Sequence, residues 1–196
     1  MVRRSIYLKQ IGRHYERNRR VAKYAKMFLN GGRRVIIFSD YTNQLYLIKK
    51  ILEGELGVLP DEVGYYTRSV RIDGKSQAVP EKERIRAAKS CKVLLATYKM
   101  LQAGTDMPEV SGIVFASPQA DATQATGRIE RFKEKKKQPI VVDLVDVDSE
   151  LALRWAMSRE EDYMRRRLSI KKIGVEQWTK QPIRKSITEK KGGSSR

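Results

Sequence analysis

One cysteine, Cys91, and one histidine, His14, stand in the whole 196-residue sequence. A lone cysteine excludes an internal disulfide, and a lone histidine excludes most zinc sites and leaves no His-based triad with a plausible partner set. Neither residue is assigned any chemistry, and no metal site is expected. Long hydrophobic runs are also lacking. No apolar stretch approaches the roughly 18 residues of a membrane span, and the basic N-terminus has no apolar core of the kind a secretory signal carries. A reducing cytoplasm is the expected compartment, with no membrane partner. The loop Gly-x-x-x-x-Gly-Lys-Ser/Thr, whose backbone cradles nucleotide phosphates, is missing too. So is an acidic pair closing an apolar strand: Asp61-Glu62 follows Pro60 and enters a strand instead of ending one.

What the chain has in excess is positive charge. The formal net charge is +18, and its distribution is uneven. Residues 1–34 hold 11 Lys/Arg against one acid, Glu16, and residues 165–196 hold 11 against two, Glu176 and Glu189. Residues 35–164 are close to neutral, with 19 basic and 20 acidic side chains. Basic segments of this kind meet nucleic acid or another anionic partner; for the last ten residues a solubilising tail is the plainer reading. A hydrophobic content of 40% suffices for a core, and the length fits one domain with tails. The expected division is a basic segment and lead-in helix over 1–34, a domain over 35–168, and a basic, flexible tail over 169–196.

Within that domain, strands and helices alternate. Val21, Tyr24, Ala25, Phe28 and Leu29 recur at helical spacing, predicting a helix from Arg13 to Asn30 that stops at Gly31-Gly32. Continuous apolar runs predict strands at Val35–Phe38, Val63–Tyr66, Val93–Ala96, Ile113–Ala116 and Ile140–Val145. Helices are expected after Thr42, from Pro80 to Lys89, at Thr123–Phe132 and at Glu150–Arg167. Fully apolar strands separated by helices form a parallel sheet covered on both faces. Active groups in such sheets lie at the carboxyl ends of the strands, where this sequence has Ser39, Thr67, Thr97 and Pro118.

The most informative stretch is Gln124-Ala125-Thr126-Gly127-Arg128-Ile129-Glu130-Arg131. Residues three apart share a helix face, so Arg128 and Arg131 would project together, with Gln124 one turn earlier. Paired guanidiniums suit a polyphosphate, because arginine is a rigid fork of donors with a permanent charge. Upstream stand Ala96-Thr97 and Gly104-Thr105-Asp106-Met107-Pro108. With Val35–Asp40 and Val63–Thr67 before them, these segments resemble, in order, motif IV, the strand between motifs IV and V, motif V and motif VI of the second RecA-like domain of superfamily 2 helicases. The resemblance covers about residues 18–146 and is similar in flavour to helicases of phages and large DNA viruses.

The resemblance implies a RecA-like parallel sheet of about five to six strands with helices on both faces, and ATP in a cleft between two such domains. Arg131 would be the arginine finger and Arg128 its companion on the γ-phosphate, a contribution typically worth about a thousand-fold or more. Gln124 would read the γ-phosphate or order the finger, and Gly127 belongs to the same motif. Gly104 would let the backbone approach the nucleotide, and Asp106 would take the ribose or its water shell. Ser39, Thr67 and Thr97 would hold phosphates of the tracked strand, DNA being favoured over RNA. Mg²⁺ would be held by a first RecA-like domain, which carries the phosphate loop this sequence lacks. The chain is therefore expected to be the C-terminal half of a helicase or translocase, inactive as an ATPase alone. A non-catalytic nucleic-acid-binding module and a domain docking on a helicase or polymerase are the alternatives.

Several features keep a plainer reading. Gly104 and Asp106 are turn formers, and Ser39 and Thr97 are suited to cap helices. Asp143, Asp146 and Asp148 resemble a metal cluster, but alternation at a strand end accounts for them better. Lys133, Lys135, Lys136 and Lys137 read as a solvated loop, Trp155 as core, and Trp178 as an open case for base stacking.

Overall fold

The computed structural model describes residues 4–102, 109–119 and 137–174. In chain order its elements are α1 (Arg4–Arg13), α2 (Tyr15–Asn30), β1 (Arg34–Phe38), α3 (Thr42–Gly54), β2 (Val63–Tyr66), β3 (Ser69–Ile72), β4 (Lys75–Ala78), α4 (Glu81–Ser90), β5 (Val93–Ala96), α5 (Tyr98–Gln102), β6 (Val110–Phe115), β7 (Ile140–Asp143) and α6 (Glu150–Arg165). Five strands form one sheet in the order β2-β5-β1-β6-β7, and every pairing is parallel.

The alternation along β1 shows why both sheet faces must be covered. Val35 and Ile37 pack with Val21, Ala25 and Phe28 of α2 and Leu45, Ile48 and Leu52 of α3. Ile36 and Phe38 point to the other face, among Leu94, Ile113, Phe115, Ala87 and Tyr98. A strand buried on both sides calls for a continuous apolar run, and Val35–Phe38 of β1, Val93–Ala96 of β5 and Ile113–Phe115 of β6 supply one. Gly64 in β2 permits the approach of α4: a Cβ there would sit 2.5 Å from Ala87 Cβ and 2.7 Å from Cys91 Sγ. Arg34 secures the same, C-terminal end of that helix, donating to the carbonyls of Ala87, Ala88 and Cys91.

The expected strands at 35–38, 63–66 and 93–96 are present. The fourth strand begins earlier, at Val110, because β6 continues alongside Arg34. The fifth ends earlier, at Asp143, the last residue paired with β6. The helix expected from Arg13 is broken at His14, whose Nδ1 accepts the Arg17 N–H at 3.3 Å and caps α2. Before it runs a helix the sequence reading did not anticipate: α1 buries Tyr7, Leu8 and Ile11 against Ala152, Leu151 and Trp155 of α6. Trp155 is half-buried, with Tyr7 edge-on at 6.2 Å and the Arg4 guanidinium 5.9 Å over its ring. The β3–β4 hairpin was also unanticipated. It turns on Asp73 and Gly74, at φ of 47° and 82°, the left-handed pair that a two-residue hairpin turn requires. The helix expected at 123–132, and Trp178, lie outside the described residues. No helix among the described residues is long and apolar enough to cross a membrane.

Candidate functional site at the carboxyl edge of the sheet

Because all five strands run the same way, the residues leaving them gather along one edge. They are Ser39-Asp40-Tyr41 after β1, Thr67 after β2, Thr97 after β5, Ala116 to Gln119 after β6 and Asp143 to Asp146 after β7. The three predicted hydroxyls differ in what they face. Ser39 is fully buried; its Oγ donates to Gln44 Oε1 at 2.7 Å and accepts the Tyr41 N–H at 3.0 Å. Thr67 is buried and donates to the Ser69 carbonyl at 3.2 Å. Thr97 is half-exposed, and its carbonyl accepts the Met100 N–H at 3.0 Å as α5 begins.

Beneath this edge lies a buried polar chain. Gln44 Nε2 donates to Asn18 Oδ1 at 2.9 Å and to the Ala116 carbonyl at 3.2 Å, and Asn18 Nδ2 donates to the Gly12 carbonyl at 2.9 Å. Buried amides without partners are costly, and here each amide holds the next element in place: α1, α2, α3 and β6. Two of the three carboxylates that resembled a metal cluster are occupied otherwise. Asp143 accepts Arg159 Nε at 2.7 Å and Nη2 at 2.8 Å, with Tyr163 OH at 3.3 Å. Asp146 accepts Arg17 Nε at 2.7 Å and Tyr7 OH at 2.7 Å. Among the described residues no group of three or more His, Cys, Asp or Glu could hold a metal ion.

Electrostatics follow from burial. Desolvation raises the Tyr7 and Tyr163 pKa values, reinforced by Asp146 and Asp143 respectively. Tyr98, stacked on Phe38 at 5.2 Å and donating to the Ser117 carbonyl at 2.7 Å, is pushed well up by burial. Burial alone would lower the pKa of Arg159, but the Asp143 charge and hydrogen bonds outweigh it, and the guanidinium is held more firmly protonated.

Gly104 and Asp106 fall between α5 and β6, and Gln124, Gly127, Arg128 and Arg131 between β6 and β7, outside the described residues. What is described is the root of the second segment. The Gln119 amide donates to Asp40 Oδ2 at 2.8 Å, its carbonyl accepts Arg159 Nη1, and Ser117 Oγ accepts the Asp40 N–H at 2.9 Å. Asp40 also accepts Arg4 Nη2. Sequence reasoning missed Arg17, Asn18, Gln44, Gln119 and Arg159. A signal existed for Arg159: with Ala152 and Ala156 it lies on one helical stripe that is buried, and a charge on such a stripe needs a buried partner.

A five-stranded parallel sheet with helices on both faces and polar strand ends defines an α/β domain of the RecA-like kind. The helicase conserved C-terminal domain family matches residues 19–133, more than half of the chain, and the chain belongs to that family. It is a C-terminal RecA-like domain of the superfamily 2 helicases. A protein named "Putative ATP-dependent RNA helicase" from Acanthamoeba polyphaga mimivirus is 23% identical over 165 residues, covering 84% of this chain and 30% of that protein. A "Probable helicase" of Escherichia phage T5 is 30% identical over 137 residues, covering 67% of this chain and 28% of its own length. The chain thus spans less than a third of either relative. Among solved structures, T4 UvsW superposes with a TM-score of 0.60 at 18% identity, over 84% of this chain and 35% of that one. The C-terminal part of the Fun30 ATPase domain gives 0.51 at 14% identity, over 66% of this chain and 40% of its own. These two likenesses speak to fold.

Proposed function

We propose that this chain is the C-terminal motor half of an ATP-dependent nucleic-acid helicase or translocase, working against a first RecA-like domain that carries the phosphate loop and the Mg²⁺-binding acids. The observation that carries the reading is that one family match, over residues 19–133, takes in both the strand-end residues and the arginine-bearing segment. In this reading Arg131 is the finger, Arg128 its companion, and Gln124, Gly127, Gly104 and Asp106 face the nucleotide. ATP supplies the phosphoryl group, and this chain's part is to stabilise charge as it transfers. Thr97, half-exposed at a strand end, is the residue to which we assign a direct hydroxyl contact with a backbone phosphate. Ser39 and Thr67 hold their loops in shape through internal bonds, and a direct contact from either requires those bonds to exchange.

The test is phosphate release by the chain alone, by a first RecA-like domain alone, and by the two together, each with single-stranded and duplex DNA and RNA. Release only from the combination, stimulated by nucleic acid, is the expected result. Release by the isolated chain that survives re-purification and disappears in Arg131→Ala would overturn it.

A further inference from the structure

The charge balance of residues 35–164 conceals a division. Residues 68–89 hold seven Lys/Arg against three acids, Asp73, Glu81 and Glu83, which leaves 12 basic and 17 acidic side chains for the rest of that span. The excess lies on one flank of the molecule, on the β3–β4 hairpin and on α4, both next to the edge strand β2. In the hairpin Val70 pairs with Gln77 and Ile72 with Lys75, while Ser69 pairs with Ala78 and Arg71 with Ser76. Paired residues share a face and successive ones alternate. The face turned away from buried Val70 therefore carries Arg71 among Ser69, Ser76 and Ala78, none of them large enough to cover it. Arg68, Arg71 and Lys75 are all exposed.

The hairpin is firmly held although every residue of β4 is exposed. Val70 and Val79 are buried, and the Val79 N–H donates to the Arg68 carbonyl at 2.9 Å. Arg84 Nη1 donates to the Val79 carbonyl at 2.7 Å and Asn43 Nδ2 to the Arg71 carbonyl at 3.0 Å. On α4, Lys82, Arg86 and Lys89 are exposed at positions i, i+4 and i+7. They form a stripe about 10 Å long on the side away from buried Ala87. Glu81 and Glu83 belong to the first turn of α4, where a helix favours acids. None of these six cations is in an ion pair among the described residues, whereas nearby Arg34 and Lys92 pair with Glu109 and Glu62.

We propose that the hairpin and the outer stripe of α4 form a second binding surface for the phosphodiester backbone of nucleic acid, separate from the basic ends. Its position supports this. Tyr66 is in register with Ala96, so Thr67 and Thr97 leave neighbouring strands side by side, and Arg68 follows Thr67 into the hairpin. The flank is thus continuous with the half-exposed hydroxyl to which a phosphate contact is assigned above. Exposed cations held on a rigid hairpin and a helix lose little freedom when they meet phosphates, and they make no demand on base sequence. The choice of nucleic acid among polyanions rests on the motor-half reading.

The test is the salt dependence of binding by the full chain, measured by fluorescence anisotropy on a duplex and on a single-stranded oligothymidylate. Arg71→Ala and Arg86→Ala, one from each element, are each expected to flatten the slope of log affinity against log salt by about 0.9 on duplex and about 0.7 on single strands. The double variant should show the sum. Arg71→Lys with Arg86→Lys keeps both charges and should keep the wild-type slope. Lys50→Ala with Arg154→Ala removes two exposed cations elsewhere and should also leave it unchanged. Urea melts of each chain check folding. A wild-type slope in Arg71→Ala or in Arg86→Ala, or an equal flattening in Lys50→Ala with Arg154→Ala, overturns the proposal. Hydrolysis by the assembled pair is read separately. Flattened slopes beside a pair that does not hydrolyse ATP leave the flank standing and overturn the motor half; stimulated hydrolysis beside unchanged slopes does the reverse.

Discussion

Arg159 meets Asp143 fork to fork at the carboxyl end of β7, with Nε 2.7 Å from Oδ2 and Nη2 2.8 Å from Oδ1. The arginine is 1% exposed and the aspartate 16%, so neither charge has much water to fall back on. Removing one partner of such a pair leaves the other buried and uncompensated. Arg159→Ala is expected to cost about 3–5 kcal/mol of unfolding free energy, and Arg159→Lys most of that, because an ammonium cannot span two oxygens. Arg159→Met combined with Asp143→Leu should recover a substantial part, since an apolar pair carries no desolvation penalty. Urea denaturation of these chains, with the single variants Arg159→Met and Asp143→Leu beside the double, checks it; additive losses in the double variant would show that the two residues act separately.

Close packing of α4 on β2 gives a second expectation. Gly64→Ala places a methyl group 2.5 Å from Ala87 Cβ and 2.7 Å from Cys91 Sγ, which the helix can relieve only by moving. Destabilisation of about 1–3 kcal/mol is the usual outcome of such overpacking, read as a lowered urea midpoint with an unchanged slope. An unchanged midpoint would mean that α4 shifts without cost.

The buried phenols make stability fall at high pH. Tyr7, Tyr98 and Tyr163 all have raised pKa values, from burial first. The unfolded chain releases these protons near the ordinary tyrosine value of about 10, and the folded chain holds them to higher pH. Their contribution is complete below that value and is lost progressively as pH climbs from there through the folded-state pKa values. Each phenol adds about 1.4 kcal/mol per pH unit to the slope. Tyr163→Phe should make the alkaline slope shallower by one such step, measured by urea melts in a series of alkaline buffers. Identical slopes in the two chains would show that Tyr163 ionises normally in the folded protein.

What the sequence disclosed and what it hid have physical causes. Val93–Ala96 and Val35–Phe38 were legible because strands buried on both faces are apolar at every position. The hairpin was not, although Asp73-Gly74 announces its turn: Lys75, Ser76, Gln77 and Ala78 are all exposed and carry no hydrophobic period. Helix α1 showed Tyr7, Leu8 and Ile11 at helical spacing, but among so many basic residues the eye reads a charged lead-in. At the edge of the sheet, position was readable and partnership was not. Ser39 stands where the strand ends, yet its hydroxyl belongs to Gln44, a residue that only the packing of α3 on β1 and β6 brings to it.

For Arg131, the proposed finger, substitution separates binding from rate. In the assembled enzyme Arg131→Ala should lower turnover about a thousand-fold, roughly 4 kcal/mol of barrier, with little change in ATP affinity. Arg131→Lys should rescue poorly, because it lacks the fork. Steady-state turnover and nucleotide affinity, measured side by side, decide it: near wild-type turnover in Arg131→Ala would remove that residue from the role.

Binding of nucleic acid by the chain alone should be weak, indifferent to sequence and carried mainly by the basic ends. The N-terminal contribution is smaller than its charge count suggests. Arg4 is paired with Asp40, Arg17 with Asp146 and Arg19 with Glu55, while Arg33 and Arg34 are bonded to backbone carbonyls. Lys9, Arg13, Arg20 and Lys23 are exposed on α1 and α2 and their junction. Residues 169–196 hold eight further Lys/Arg. Each phosphate neutralised steepens the fall of log affinity with log salt by about 0.9 for duplex and about 0.7 for single strands. Deleting 169–196 should therefore flatten the slope by a few units, and Arg20→Ala with Lys23→Ala by about one on single strands. Thr97→Ala should weaken binding with almost no change in slope, because a hydroxyl releases no counterion. Fluorescence anisotropy across a salt series separates these contributions. Should the tail deletion leave the slope intact, residues 169–196 take no part in holding the phosphates, and the exposed cations before residue 169 do the binding with the strand ends.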